Sequence, residues 1–135
     1  MHLIFGGAYQ GKLEYAQEHY QLKEEDIFTC DAEADQNKSA AGTITIDFSK
    51  KVINKLEDFV MCCLRQGIEA KEYLEEHKEE WKDKIIICTD ISSGVVPYDK
   101  ELRAWREMVG RTMVYLGKEA EEVTRLFCGI PQKLK

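Results

Sequence analysis

Apolar and polar residues follow one another along the chain in blocks that predict strands and helices in turn. Short apolar runs predict strands over 2–6, 26–30, 43–46, 84–90, 123–128 and 130–134. Helical spacing of apolar residues predicts helices over 11–20, from Ser49 to about residue 64, over 69–83, and from Asp99 to 116. Strands that alternate with helices indicate an α/β domain with a mostly parallel sheet.

Composition narrows the class of protein. A chain of 135 residues with 44% hydrophobic residues is expected to form one domain over 1–135. A net charge of −6 argues against a nucleic-acid or anionic-membrane partner. No apolar run reaches the length of a membrane span and no signal peptide is recognisable, so we expect a cytoplasmic protein. The five cysteines are expected to be buried free thiols, with a redox or metal role as the alternative, and we predict no structural zinc.

The first predicted strand leads into a glycine-rich loop that ends in Gly-Lys. It matches the phosphate-binding pattern G-x-x-x-x-G-K, in which backbone N–H groups and the next helix cradle an anion and the lysine neutralises phosphate charge. We predict that the nucleotide-binding residues are Gly6, Gly7, Ala8, Tyr9, Gln10, Gly11, Lys12 and Leu13. The alternative is a tight strand-to-helix turn with an incidental lysine. The pattern's usual Ser or Thr, which would hold Mg²⁺, is replaced by Leu13.

Three predicted strands end in an aspartate, namely Asp31, Asp47 and Asp90. Ligands of open α/β sheets bind outside the carboxyl ends of the strands, where an aspartate can hold Mg²⁺ or orient a hydroxyl. Aspartates also cap strands and helices for structural reasons, and we favour that explanation for Asp31 and Asp47. Asp90 follows the most apolar strand, so we predict a catalytic or Mg²⁺-binding role for it alongside Lys12.

The last third of the chain carries a resemblance to a known family. It contains Asp90-Ile91-Ser92-Ser93-Gly94-Val95-Val96-Pro97, then Val109-Gly110-Arg111, and finally Gly129-Ile130-Pro131-Gln132-Lys133-Leu134-Lys135. Together with the opening Phe5–Lys12, these segments resemble the adenosylcobinamide kinase/adenosylcobinamide-phosphate guanylyltransferase family. The resemblance implies a RecA-like phosphate-loop (P-loop NTPase) fold of three layers, ATP or GTP as the nucleotide, a cobinamide substrate and a homo-oligomer. It also implies nucleotide contacts for Gly6–Lys12 and a site role for Asp90.

Two departures from that family leave its chemistry open. Leu13 cannot coordinate Mg²⁺, which counts against Mg²⁺ as a cofactor. The family's guanylylated histidine would fall in the segment 31–42, which contains no histidine. Three hypotheses follow: a shortened member that retains kinase-type phosphoryl transfer, an inactive nucleotide-binding or regulatory homologue, and an interaction protein whose loop is vestigial.

Overall fold

A computed structural model of the chain describes residues 1–33, 45–91 and 98–135. The strands are β1 His2–Gly6, β2 Ile27–Thr29, β3 Val52–Asn54, β4 Ile85–Thr89, β5 Glu122–Phe127 and β6 Ile130–Lys133. The helices are α1 Lys12–Tyr20, α2 Leu56–Arg65, α3 Ala70–Glu76, α4 Lys78–Trp81 and α5 Lys100–Glu119, with a 3₁₀ turn at Glu24–Asp26.

The six strands form one sheet in the order β2-β3-β4-β1-β5-β6. All neighbouring pairs are parallel except β5 and β6, which form an antiparallel hairpin at one edge. In the centre, β1 runs in register with β4, so that Gly6 lies beside Thr89. The end of β1 and the end of β4 therefore meet at the same edge of the sheet.

Helices cover both faces of the sheet. On one face, α2, α3, α4 and α5 bury a large core that includes Leu3, Ile53, Ile86 and Trp81. On the other face, α1 packs on a smaller core that includes Ile4 and Ile87. This is the predicted α/β arrangement of three layers with a mostly parallel sheet, and it is consistent with the predicted RecA-like phosphate-loop fold.

The middle of the chain corrects the sequence prediction. Residues 43 and 44 of the predicted third strand lie outside the described residues, and Thr45 and Ile46 are not in a strand. The third strand is instead β3, although the apolar spacing predicts that its residues belong to the helix that follows Ser49. That helix, α2, begins only at Leu56, after Lys55 in a left-handed conformation. The error has a simple cause. A central strand is apolar on both faces, and the apolar run of β3 continues directly into that of α2.

Three smaller predictions also differ. The helix predicted over 69–83 is broken at His77 into α3 and α4. Asp47 does not end a strand; it lies exposed in a turn before β3, where it accepts hydrogen bonds from Ser49. Four cysteines are buried free thiols as predicted, whereas Cys128 is exposed in the β5–β6 turn.

None of the helices in the described part of the chain is long and apolar enough to span a bilayer.

Candidate functional site

The glycine-rich loop joins the end of β1 to the start of α1. Gly6 must be a glycine because a Cβ there would lie 2.4 Å from the carbonyl oxygen of Leu126 on β5. Gly11 has φ +82, a conformation that L side chains rarely adopt, and the Tyr15 N–H donates to its carbonyl oxygen over 2.9 Å. The loop thus places the N-terminus of α1 at the carboxyl edge of the sheet, where a helix favours an anion.

Lys12 is the first residue of α1 and its side chain turns back over the loop. Its Nζ donates to the carbonyl oxygen of Gly7 over 2.7 Å. Burial lowers the pKa of the Lys12 ammonium, and the nearby Glu57 carboxylate partly offsets that effect. The ammonium therefore lies inside the loop, opposite an acid.

The loop is also tied to the β5–β6 hairpin. Gln10 Oε1 accepts a hydrogen bond from the backbone N–H of Cys128, and Gln10 Nε2 donates weakly to Ala8 O over 3.4 Å. Tyr9, the residue between them, has φ 59 and a fully exposed ring. The hairpin turn is therefore part of what shapes the loop.

A pocket of about 430 Å³ opens in front of the loop. The loop residues 8–14 line one side of it. The other lining residues end or follow β3 and β4 or belong to α2 and α5, and they include Asn54, Lys55, Glu57, Asp58, Thr89, Ile91 and Trp105. A ligand held by the loop would therefore meet carboxylates, a hydroxyl and an indole ring.

Glu57 is the most firmly held acid of this pocket. It lies in the first turn of α2 and is only 7% exposed. Its Oε2 accepts a hydrogen bond from the Thr89 N–H over 3.0 Å, and its backbone carbonyl accepts one from Trp105 Nε1 over 2.8 Å. Contacts from β4 and α5 thus fix both ends of this residue, which leaves its carboxylate oriented before any ligand arrives.

Two further polar residues accompany Glu57. Asn54 ends β3, is 7% exposed and donates to Thr29 Oγ1 over 3.4 Å. Asp58 follows Glu57 in α2, and burial raises the pKa of its carboxyl group, with smaller contributions from Glu57 and Asp31. The first turn of α2 thus supplies two acids to the pocket, and the end of β3 supplies an amide.

The structure separates the three predicted strand-end acids. The Asp90 N–H donates to Gly6 O over 2.8 Å, and Asp90 lines a different pocket, between β1 and α5, together with Phe5 and Met113. Asp31 is exposed at the end of β2, close enough to Asp58 to affect its pKa. Asp47 lies before β3, away from the strand ends. None of the three lines the pocket that contains Lys12.

Asn54, Glu57 and Asp58 are not among the site residues predicted from the sequence. The predicted helix covers 52–64 and so hides the end of β3. A signal was present: an apolar pair, Val52-Ile53, is followed at once by polar residues and by two acids at a helix start.

Leu13, at the position of the expected hydroxyl, has a packing role. It lines the pocket and is also packed, partly buried, on the core formed by Ile4, Ala16 and Leu126. Leu13, which replaces the hydroxyl-bearing residue of the pattern, therefore packs α1 against the sheet.

The donor set fits a hydrated magnesium ion better than a metal held by protein alone. No group of three or more His, Cys, Asp or Glu side chains suited to a metal occurs among residues 1–33, 45–91 and 98–135. Mg²⁺ usually retains several waters and is bound by one or two carboxylates plus substrate phosphates. Glu57 and Asp58, which both line the pocket of the glycine-rich loop, are carboxylates of the kind that such an ion uses.

Comparisons with known proteins point to one family. The family model described as cobinamide kinase / cobinamide phosphate guanyltransferase matches residues 44–134, about two thirds of the chain. The matched range includes Glu57, Thr89 and Trp105 and begins after the glycine-rich loop. Among curated proteins, none matches the chain.

Proposed function

Because the chain belongs to the cobinamide kinase / cobinamide phosphate guanyltransferase family, we propose that it binds ATP or GTP and transfers the γ-phosphoryl group to the hydroxyl of cobinamide. The observation that carries this proposal is the pocket in front of the glycine-rich loop. Lys12 and the buried acid Glu57 line that one pocket, at the carboxyl edge of the parallel strands. Phosphoryl transfer needs mainly positioning and charge neutralisation, and both are supplied there.

Each side of the pocket has its own task in this proposal. The backbone N–H groups of Gly6–Leu13 and the start of α1 hold the β- and γ-phosphates. Lys12 exchanges the carbonyl of Gly7 for a phosphate oxygen and stabilises the charge of the group in transfer. Glu57, with Asp58, would hold Mg²⁺, which neutralises phosphate charge when it is bound. Asp90, which lines the neighbouring pocket, keeps its predicted catalytic or metal role as a prediction.

A single-turnover assay tests the proposal. The protein is mixed with ATP or GTP, Mg²⁺ and cobinamide, and the phosphorylated cobinamide is measured for wild type and for Lys12→Ala. We expect product from wild type and a loss of at least about a hundredfold in Lys12→Ala. Lys118→Ala, which removes an exposed lysine of α5, is the matched control and keeps wild-type activity. Wild-type protein without product, although it binds both substrates, would refute the kinase proposal.

One observation favours a second candidate, an inactive nucleotide-binding homologue. Leu13 gives its side chain to packing and offers Mg²⁺ no oxygen. Calorimetry separates the two candidates, because an inactive homologue binds nucleotide equally well with and without Mg²⁺ and shows no turnover. A homo-oligomer, implied by the family resemblance, is a further proposal, checked by the mass of the particle in solution.

A further inference from the structure

The β5–β6 hairpin ends in a tight turn with an unusual backbone. Phe127 pairs with Ile130, which leaves Cys128 and Gly129 as a two-residue turn. Both turn residues have positive φ, 52 for Cys128 and 74 for Gly129. Two-residue hairpin turns with φ > 0 at both positions favour Asn-Gly. The turn therefore holds Cys128 in a conformation that side chains other than Asn, Asp and His adopt only rarely.

This turn is in contact with the glycine-rich loop. The Cys128 N–H donates to Gln10 Oε1, and Gln10 Nε2 donates weakly to Ala8 O over 3.4 Å. One side chain thus joins the turn to the loop and also spans the tip of the loop. Beside it, a Cβ on Gly11 would lie 3.8 Å from the Gly129 Cα, an ordinary contact distance. Two adjacent residues of the loop therefore meet two adjacent residues of the turn.

The turn can affect a ligand only through the loop. Neither Cys128 nor Gly129 is among the described residues that line the pocket in front of the loop. The tip of the loop carries Tyr9, with φ 59 and a fully exposed ring. A loop that has to be ordered when its ligand binds loses affinity, whereas a loop already held in its binding shape does not. A contact that holds this loop in shape therefore contributes to the affinity for phosphate.

We propose that the Cys128-Gly129 turn is a positioning element for the phosphate loop, and that the Gln10 side chain links the two instead of binding the nucleotide. This inference rests on the proposed function, because it names what holds the nucleotide site in shape. It also makes the hairpin and the site reciprocal. A change that weakens the turn weakens nucleotide binding, and a bound nucleotide protects the turn from opening.

Hydrogen exchange of the backbone amides, followed by NMR without any ligand, tests the link itself. Gln10→Met keeps the length of the side chain and removes the acceptor, so we expect the Cys128 N–H and the loop amides to exchange at least about fivefold faster. Gln10→Glu keeps an oxygen at this place and retains the protection of the Cys128 N–H. Gln132→Met makes the same substitution at an exposed residue of β6, and as the matched control it leaves the loop amides unchanged.

Calorimetry with ATP and with GTP measures the positioning effect. We expect Gln10→Met to bind nucleotide about three- to tenfold more weakly than wild type, the effect of one hydrogen bond. Gly129→Ala adds a Cβ with open space around it, so it acts only through the strained φ of +74 and weakens binding to a similar extent. Cys128→Asn keeps the N–H and suits the turn, so it binds nucleotide at least as tightly as wild type.

The double variant Gln10→Met/Gly129→Ala separates positioning from direct contact. If both changes act through one link, the double variant loses no more affinity than the weaker-binding single variant. Losses that multiply would show that Gln10 contacts the nucleotide itself, and they would overturn the proposal. Wild-type affinity in Gly129→Ala, in spite of faster exchange at the turn, would overturn it as well.

The proposed function fails in a different way. A wild-type protein that binds neither ATP nor GTP would refute the nucleotide site, and the exchange rates would still decide whether the turn positions the loop. Loop amides of Gln10→Met that exchange at the wild-type rate would overturn the positioning role even in a protein that binds nucleotide.

Discussion

The substitution Glu57→Gln removes the charge of the pocket's buried acid and is expected to leave the free energy of unfolding of the protein almost unchanged. The Glu57 carboxylate accepts the Thr89 N–H over 3.0 Å, and the side chain is 7% exposed. A glutamine keeps an oxygen at this place and loses only the charge. We therefore expect the free energy of unfolding of Glu57→Gln to lie within about 1 kcal/mol of wild type. Glu57→Ala leaves the Thr89 N–H without its acceptor, which costs about 1–3 kcal/mol more.

The same substitution reports on ligand binding. Without Mg²⁺, the Glu57 carboxylate repels the phosphates in the loop, so Glu57→Gln should bind ATP or GTP about tenfold more tightly than wild type. With Mg²⁺, wild type gains affinity and Glu57→Gln gains little. Phosphoryl transfer in the variant should fall by at least about a hundredfold.

Urea unfolding, calorimetry with and without Mg²⁺, and a single-turnover assay measure these three effects on the same protein. Asp83→Asn serves as the control for net charge. If Glu57→Gln kept both wild-type turnover and the wild-type response to Mg²⁺, Glu57 would have no part in the chemistry.

Three other changes give independent tests. Leu13→Ser restores the loop hydroxyl but removes a partly buried apolar contact. We expect urea unfolding to show a free energy of unfolding about 1–2 kcal/mol lower than that of wild type. The single-turnover assay should show that Mg²⁺-dependent turnover rises. Gly6→Ala forces a Cβ to 2.4 Å from Leu126 O, so thermal unfolding should show a free energy of unfolding at least about 2 kcal/mol lower than that of wild type. Gly117→Ala, in α5 with open space around it, should instead raise the free energy of unfolding by about 0.5–1 kcal/mol. Burial lowers the pKa of His2 below 6.5, so the unfolded chain takes up a proton at a higher pH than the folded chain does. The free energy of unfolding should therefore fall as the pH drops below about 6.5. Urea unfolding from pH 7.5 to 5 should show this slope in wild type and not in His2→Gln.

Segments whose sequence carries one strong structural signal were predicted correctly. The run Ile85–Thr89 is apolar on both faces, and it forms the central strand β4. Asp99 was predicted to start a helix, and its side chain accepts the Leu102 N–H at the N-terminus of α5. The glycine-rich loop lies between β1 and α1, as its pattern predicts.

The acids of the pocket could not be found in the same way. β3 has only three residues, and its alternation is hidden by burial on both faces. Glu57 lies in the first turn of a helix, where acidic residues are common because they interact favourably with the helix dipole. A glutamate at this position is therefore not by itself evidence of a functional site. What distinguishes it is the Thr89 N–H and the Trp105 N–H, which approach from elements 32 and 48 residues away in the chain. Such contacts exist only in the folded sheet.

The role predicted for Asp90 remains a prediction. Its position after the most apolar strand is correct, and it lines the pocket between β1 and α5. Successive residues after a strand face opposite sides of the sheet, so neighbouring Thr89 and Asp90 line different pockets.

The most direct test of the account is a crystal structure with a non-hydrolysable GTP or ATP analogue and Mg²⁺. We expect the β- and γ-phosphates inside Gly6–Leu13, with Lys12 Nζ moved from the Gly7 carbonyl to a phosphate oxygen and the metal on the side of Glu57. A nucleotide bound elsewhere, with Lys12 still on Gly7, would contradict the account.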